Sequence, residues 1–581
     1  MGSIEKRTDG INPQHGKAWI SNENLEKLKS TSLIEEDIRE QDPHIAGVKP
    51  LTHREAEEQL AQVPNEGCIR VGGVEIPNRT SKNNYLITGQ TRSGKTTVLK
   101  QIMSQVLKLI GRGQDQRAII YDPKGDLVSF LYGLLGENAP IKILNPFDHR
   151  CVAWDMGKDI QTPAHAATVA KILVPEPERG NDNEFFRDGA RTLIRSVQES
   201  FILTSLARVE AGQEPFNWSL RDLCLALRDQ KTLREILSRH EETEHALEYL
   251  DRANNDVLVT VKGYLSEIEI IAAAWQGKPK ISLKEFRDNK DGSILVLGNY
   301  REANSPLKAL NNVILQRVIQ LLLTDQESET VRSWLFLDEF TSLGKIDDFN
   351  VVLQEGLSKG VCTVLGFQNI EVVRHLYTKE IANAIASECA TKVFLKSEGA
   401  QAAWASEFLG KCEVWRCEDG SSVGDSFSSN KSNTNTTGES FTQSFHKSST
   451  VSSSNAASKS QTYQSSAQQT KNWRRKEESV IPQGDFAMLP EAGSRNGVEG
   501  YYQTSSVQGV WHYKAEWHEL SAAANITSQE SNFVSRDHEP RYQFLKAWTN
   551  DERVQLGLPV KLTKQNLEGA IQNTNLGKTH E

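Results

Sequence analysis

No apolar run in this chain is long enough to cross a bilayer, which takes about 18 to 20 residues. The nearest candidate, Val313–Leu323, is broken by Gln316, Arg317 and Gln320. The opening stretch, MGSIEKRTDGINPQHGK, lacks the apolar core of a secretory leader. Both absences predict a chain that is soluble by itself and cytoplasmic. Cysteine is sparse as well: seven in 581 residues, scattered, with Cys412 and Cys417 the closest pair. That spacing matches neither a zinc nor a redox motif, so reduced, mostly buried thiols are expected. Excess positive charge is also missing, the formal net charge being -9. A role on a polyanion such as nucleic acid would therefore need a local basic lining, in a pore or groove.

What the chain does have is room and alternation. Its length suits about three or four domains. Residues 1–65 are highly charged, with a helical pattern in NENLEKLKSTSLIEEDIREQ, and read as a partly ordered arm. Over 66–160 the short apolar runs NYLITG, AIIYD and IKILN alternate with the helical TTVLKQIMSQVLKLI. Strands alternating with helices predict a parallel sheet covered on both faces. Over 161–277 strand signals fade into successive amphipathic helices, a pattern that reads as an inserted all-α domain. Alternation resumes over 278–418 with SILVLGN, WLFLDEF, VCTVLGF and TKVFLK. Residues 419–470 are rich in Ser, Thr, Asn and Gln with almost no aliphatic side chains, which predicts a disordered loop. Final strands are expected over 471–520, and 521–581 is a polar, weakly helical tail with no assigned role.

The chemistry concentrates after the first strand. Gly89-Gln90-Thr91-Arg92-Ser93-Gly94-Lys95-Thr96 fits G-x-x-x-x-G-K-[ST] and lies between a strand and a helix, with Thr97 following. Glycines let the backbone curl so that N–H groups converge on phosphate oxygens, and the helix N-terminus adds partial positive charge. Lys95 is expected on the β- and γ-phosphates of ATP and the Thr96 hydroxyl on Mg²⁺. A hydrolytic site also needs an acid on a neighbouring strand. SWLFLDEF supplies Asp338, placed to hold Mg²⁺, and Glu339, placed to polarise the attacking water. Gln368 ends a further apolar strand, at the edge of a parallel sheet where ligands sit, and there it can bond the γ-phosphate or the water.

Two more segments are less generic. IIYDPKGDL puts Asp122, Lys124 and Asp126 after a strand, and ILNPFDHRCVAWD carries Asn145, Pro146, Asp148, Arg150 and Trp154. From composition alone these are polar turns at strand ends. In order, the P-loop, D-P-K-G-D, L-N-P-F-D-x-R-x-x-x-W, a helical block containing FFRDGAR, LDEF-x-S-L-G and GFQ resemble the type IV secretion coupling proteins, the TraD/TrwB-type conjugation ATPases. The likeness runs from about Gly67 to Trp517.

That resemblance implies an α/β, RecA-like P-loop NTPase domain with an inserted all-α domain. It implies a hexameric ring that hydrolyses ATP with Mg²⁺ to move single-stranded DNA, with its relaxase, into a type IV secretion channel. On this chain Lys95, Thr96, Asp338, Glu339 and Gln368 fall on the family's nucleotide-site positions. Two departures stand out. Family members usually begin with transmembrane helices, so a membrane partner protein at the inner membrane's cytoplasmic face is expected. The family's Gly-Arg, thought to reach the neighbouring subunit's ATP, is here Gly356-Leu357, leaving Lys359 or Arg374 as substitutes. Two other readings stay open: a receptor that loads protein substrates into a secretion system, and a soluble ring-shaped DNA pump unconnected to secretion.

Overall fold

The computed structural model describes residues 43–63, 68–77, 82–176, 184–252, 256–347, 349–429 and 461–560. It falls into two compact units, Leu51–Ala405 with Gln483–Glu581, and Met1–Pro50 with Ser406–Pro482. In the first, larger unit the main sheet contains β1 (Asn84–Thr88), β2 (Arg117–Asp122), β3 (Ile141–Ile143), β4 (Ile294–Gly298), β5 (Ser333–Leu337), β6 (Val361–Phe367), β7 (Cys389–Leu395), β8 (Val498–Thr504) and β9 (Val510–Ala515). They lie in the order β9-β8-β7-β1-β6-β5-β2-β4-β3. Pairing is parallel from β7 through to β3, whereas β8 and β9 run antiparallel to their neighbours.

Every position of β1, β2, β4, β5 and β6 is buried. Strands covered on both faces need apolar side chains on both, which is why they read as unbroken apolar runs in the sequence. On one face Tyr85, Ile87, Ile120, Phe336 and Val364 meet Val98, Leu99, Ile102 and Met103 of helix α1 (Lys95–Val106). Each such side chain contributes about 1.5–3 kcal/mol on burial. This face fixes α1 against β1, and so fixes the loop between them. The α/β architecture expected from the alternating pattern is the one observed.

Between the strand pair Ala153–Trp154 and Lys280–Ile281 the described chain is helical. Helices α2 (Pro163–Leu173), α4 (Leu220–Arg228) and α5 (Asp256–Ala274) pack around α3 (Glu184–Glu210). Pro163 sits at the first turn of α2, and Thr162 caps it by accepting from the His165 N–H. Trp154 has a structural task at the base of this block. Its Nε1 donates to buried Asp159 Oδ2 at 2.7 Å, and the same carboxylate takes the Leu283 N–H at 2.7 Å and the Ser282 hydroxyl at 2.8 Å.

The polar segment after β9 is an ordered strap. Asn532 Oδ1 accepts from the Ser129 N–H at 2.7 Å, and the Val534 carbonyl from the His149 N–H at 2.8 Å. Further on, Trp548 Nε1 donates to Asp222 Oδ1 at 2.7 Å, and Glu552 receives Arg221 at 2.7 and 2.9 Å. The strap thus ties the sheet's loops to the helical block.

In the smaller unit, strands Lys411–Ser429 and Gln461–Ser479 pair antiparallel from Lys411↔Ser479 to Ser429↔Gln461. The two ends of the loop expected to be disordered over 419–470, residues 419–429 and 461–470, are thus strand. A ladder satisfies backbone groups without apolar burial, and Thr and Tyr are good strand residues, so low aliphatic content does not preclude a hairpin. Residues 430–460, like the helical pattern expected over 22–41, lie outside the described residues. Among the described residues no helix is long and apolar enough to cross a membrane. None of the seven cysteines is in a disulfide, and Cys151, Cys224, Cys362, Cys389 and Cys412 are buried.

Candidate nucleotide-binding site

The loop after β1 is held open by its backbone. Arg92 and Gly94 have φ of 64° and 99°. Gly94 starts α1 with no side-chain cap, so the first N–H groups of the helix keep their donors for an anion. A Cβ on Gly94 would come within 2.8 Å of Val498, so both φ and space demand glycine here.

Lys95 is 5% exposed and donates to the Gly89 carbonyl at 2.8 Å. Burial pushes its ammonium down to about 8, against the pull of Glu339 and Asp338. The Thr96 hydroxyl donates to Asp338 Oδ2 at 3.3 Å, and Lys124 Nζ reaches the same oxygen at 3.1 Å. The other oxygen, Asp338 Oδ1, is buried and has no hydrogen-bond partner among the described residues. An orphaned carboxylate oxygen beside a P-loop hydroxyl is the donor set a hard, oxygen-seeking cation takes, so these residues fit Mg²⁺. Next to it Glu339 is fully engaged. Its Oε1 accepts from Thr341 Oγ1 at 2.8 Å and its Oε2 from Gln368 Nε2 at 2.7 Å. Gln368 Oε1 in turn accepts from Thr91 Oγ1 at 3.0 Å.

Strand register explains this convergence. β5 pairs β6 with Leu337 opposite Leu365, so Asp338 and Gln368 leave the sheet at the same edge as the loop after β1. Of the residues predicted from sequence, Thr91, Gln368 and Glu339 form one hydrogen-bonded chain, Thr96 and Asp338 pair beside it, and Lys95 bonds the Gly89 carbonyl of the same loop. Gln90 and Ser93 shape the loop: the Gln90 N–H bonds the Lys396 carbonyl at 2.8 Å, and Ser93 is buried. Gly89 is packed against Ser93 and Leu395. Thr97 is half-buried on the first turn of α1.

Sequence reasoning missed two members. Thr341, two residues past Glu339, orients that carboxylate, and only the geometry shows it. Lys124 stood in plain view within DPKGD but carried no role. Its neighbour Asp122 does the turn-forming work: its carboxylate takes the N–H groups of Gly125, Leu127 and Asp126 at 2.9, 3.0 and 3.2 Å. Burial pushes the Asp122 carboxyl up to about 6, although these bonds pull it down. In LNPFD, Asn145 accepts from the Phe147 N–H and donates to the Asn299 carbonyl, while Asp148 grips Arg150. Asn145 and Asp148 hold loops together and line one pocket with Lys124.

A parallel sheet, a glycine-started helix and a buried acid on a nearby strand define the P-loop class of α/β proteins. The model of the type IV secretion-system coupling protein DNA-binding domain matches residues 68–451. The chain belongs to that family. It is 22% identical over 360 residues to the coupling protein TraD of Escherichia coli (strain K12), a match covering 61% of this chain and 47% of TraD. The chain thus spans about half the length of that curated relative. In fold it is similar to the bacterial conjugative coupling protein TrwBΔN70 in its unbound monoclinic form, with a TM-score of 0.58 at 18% identity over 85% of this chain and 96% of the other. The TrwB complex with ADP and Mg²⁺ aligns with a TM-score of 0.58 at 18% identity over 85% and 97%.

Proposed function

We propose that this chain binds and hydrolyses ATP and uses the energy to move single-stranded DNA, with its relaxase, toward a type IV secretion channel, working as a homo-hexameric ring recruited by a membrane partner. The observation that carries the reading is the bonded cluster Thr91–Gln368–Glu339 beside Thr96–Asp338–Lys124. The family membership supports the DNA and secretion parts.

In this reading the loop's N–H groups and Lys95 hold the polyphosphate, and Lys95 leaves the Gly89 carbonyl to do so. Thr96 and Asp338 hold Mg²⁺, which supplies charge neutralisation on the phosphate oxygens. Glu339 takes a proton from the water whose oxygen attacks the γ-phosphorus as the bond to ADP breaks. Gln368 keeps that carboxylate aimed and reports to the loop through Thr91. The division into a split nucleotide-binding domain, over 66–160 and 278–418 with its last strands in 471–520, around an all-α insertion at 161–277 belongs to the same proposal.

The test is the ATPase rate of wild type and Lys95→Ala with and without single-stranded DNA. A rise with DNA that weakens with salt is expected, because phosphate contacts release counterions, and the variant should abolish it. A rate unmoved by DNA at every salt concentration would favour the protein-receptor reading instead.

A further inference from the structure

We propose that Lys124 is a built-in cation that competes with the metal for Asp338, and so sets how much Mg²⁺ the site needs before nucleotide binds tightly. The proposal rests on the nucleotide reading above and assigns DPKGD its chemistry.

The turn that carries Lys124 is rigid. Three backbone N–H groups are locked onto the Asp122 carboxylate at the end of β2, and Gly125 takes a φ of 69° to complete the bend. From that turn the ammonium sits 3.1 Å from Asp338 Oδ2, the oxygen that the Thr96 hydroxyl also uses at 3.3 Å. Asp338 is almost wholly buried and stands next to a second carboxylate, Glu339. Two adjoining acids at a sheet edge are costly to keep ionised unless cations lie close by. Lys95 is committed to the Gly89 carbonyl, so Lys124 is the cation in direct contact with Asp338.

Thr96 lies on the Oδ2 side of the carboxylate, so a metal ion held between Thr96 and Asp338 would crowd the ammonium there, and one on the orphaned Oδ1 would share a single carboxylate with it against like-charge repulsion. The two cations are therefore alternatives. The Lys124 side chain is 43% exposed, against 4% for Asp338, so the lysine has a route to solvent and the acid does not. A positive charge within hydrogen-bond reach lowers a carboxylate's affinity for a proton by about one to three powers of ten, and the same field opposes a metal cation.

The experiment follows binding of a fluorescent ADP analogue by the full chain as Mg²⁺ is raised. Lys124→Met should lower the half-effective Mg²⁺ by about tenfold, the lower end of that range. Lys124→Gln, which keeps a polar group beside Asp338, should shift it the same way and reads the charge apart from packing. Lys124→Arg keeps the charge and should stay near wild type. An unchanged or increased Mg²⁺ requirement in both neutral variants, with wild-type thermal unfolding, would overturn the competition. Wild type that shows no Mg²⁺-dependent nucleotide binding at all would instead overturn the nucleotide reading, and this inference with it.

Discussion

Gln368 Nε2 donates to Glu339 Oε2 at 2.7 Å, which makes the glutamine at the end of β6 a holder of the carboxylate at the end of β5. In the proposed reading Glu339 is the general base, which must be aimed as well as present, and its bonds to the glutamine and Thr341 would supply that aim. Glu339→Gln should lower ATP turnover by about 10² or more while nucleotide still binds. Gln368→Ala leaves the base but frees one of its oxygens, so a smaller loss of about tenfold in kcat is expected, again with little change in nucleotide affinity. Phosphate release paired with nucleotide titration separates the two quantities. Equal loss of binding and turnover in Gln368→Ala would show that the residue shapes the pocket instead of aiming the base.

Lys95 makes a pH prediction. Burial places its ammonium at about 8, so above that value the nucleotide-free protein increasingly holds a neutral amine at the loop. Polyphosphate needs the charged form, and binding above pH 8 must therefore take up a proton. Affinity for ADP should fall with rising pH, approaching about tenfold per unit well above pH 8. Lys95→Arg keeps its charge throughout, so whatever affinity it retains should lose this slope. Titrations between pH 7 and 9.5 with a fluorescent ADP analogue would check it, and an equal slope in wild type and Lys95→Arg would assign the effect to another group.

The loop, the acid pair and Gln368 were legible because each follows a mostly apolar strand that is buried throughout, and because a phosphate loop is a local device written in consecutive residues. Their mutual bonding was not legible, since it depends on the register of β1, β5 and β6 across almost 280 residues of chain. Trp154 and Asn145 read from composition alone as parts of polar turns, and in the structure they satisfy Asp159 and the Asn299 carbonyl. The strap at 525–560 left no trace in periodicity because it holds on through side chains to distant loops. The hairpin strands Lys411–Ser429 and Gln461–Ser479 escaped for a related reason: a backbone ladder does not require the apolar alternation used to find strands.

Leu357 stands where the family resemblance places a trans-acting arginine, and the structure gives it a different task. It packs, partly buried, against the core cluster beneath the 3₁₀ turn Gly356–Lys359. Arg374 gives Nη1 to Glu371 at 2.6 Å on its own helix, while its Nε and Nη2 have no partner among the described residues. Lys359 is the other candidate, and one ammonium without the guanidinium fork should supply less than the roughly 10³-fold of an arginine. Lys359→Ala is expected to lower turnover by about tenfold at protein concentrations that assemble a ring, and to leave dilute monomer unchanged. Turnover measured across a concentration series beside light scattering would show it. Equal loss in both states would remove Lys359 from any role between subunits.

Arg536 is the anchor by which the strap should be tested. It is 2% exposed, and its Nη1 donates to the carbonyls of Pro146 at 2.6 Å and Ala274 at 2.5 Å. Its Nη2 pairs with Glu539 at 2.6 Å, and hydrogen bonds from Arg536, His149 and Lys278 hold the Glu539 carboxyl down at about 2. One guanidinium therefore joins the NPF loop, the end of α5 and the strap. Arg536→Ala would leave the buried Ala274 carbonyl without its donor and the Pro146 carbonyl with only the Cys151 thiol at 3.8 Å, a loss of about 3 kcal/mol in unfolding free energy. Arg536→Lys restores the charge but not the fork, and should recover only part of it. Urea unfolding is the measurement. Since the Glu539 carboxylate is stabilised in the folded state, its contribution is present above the ordinary glutamate range and fades as pH falls from about 4.5 toward 2. The gap between wild type and Arg536→Ala should narrow over that window, and a gap that stays constant with pH would mean the arginine acts through the carbonyls alone.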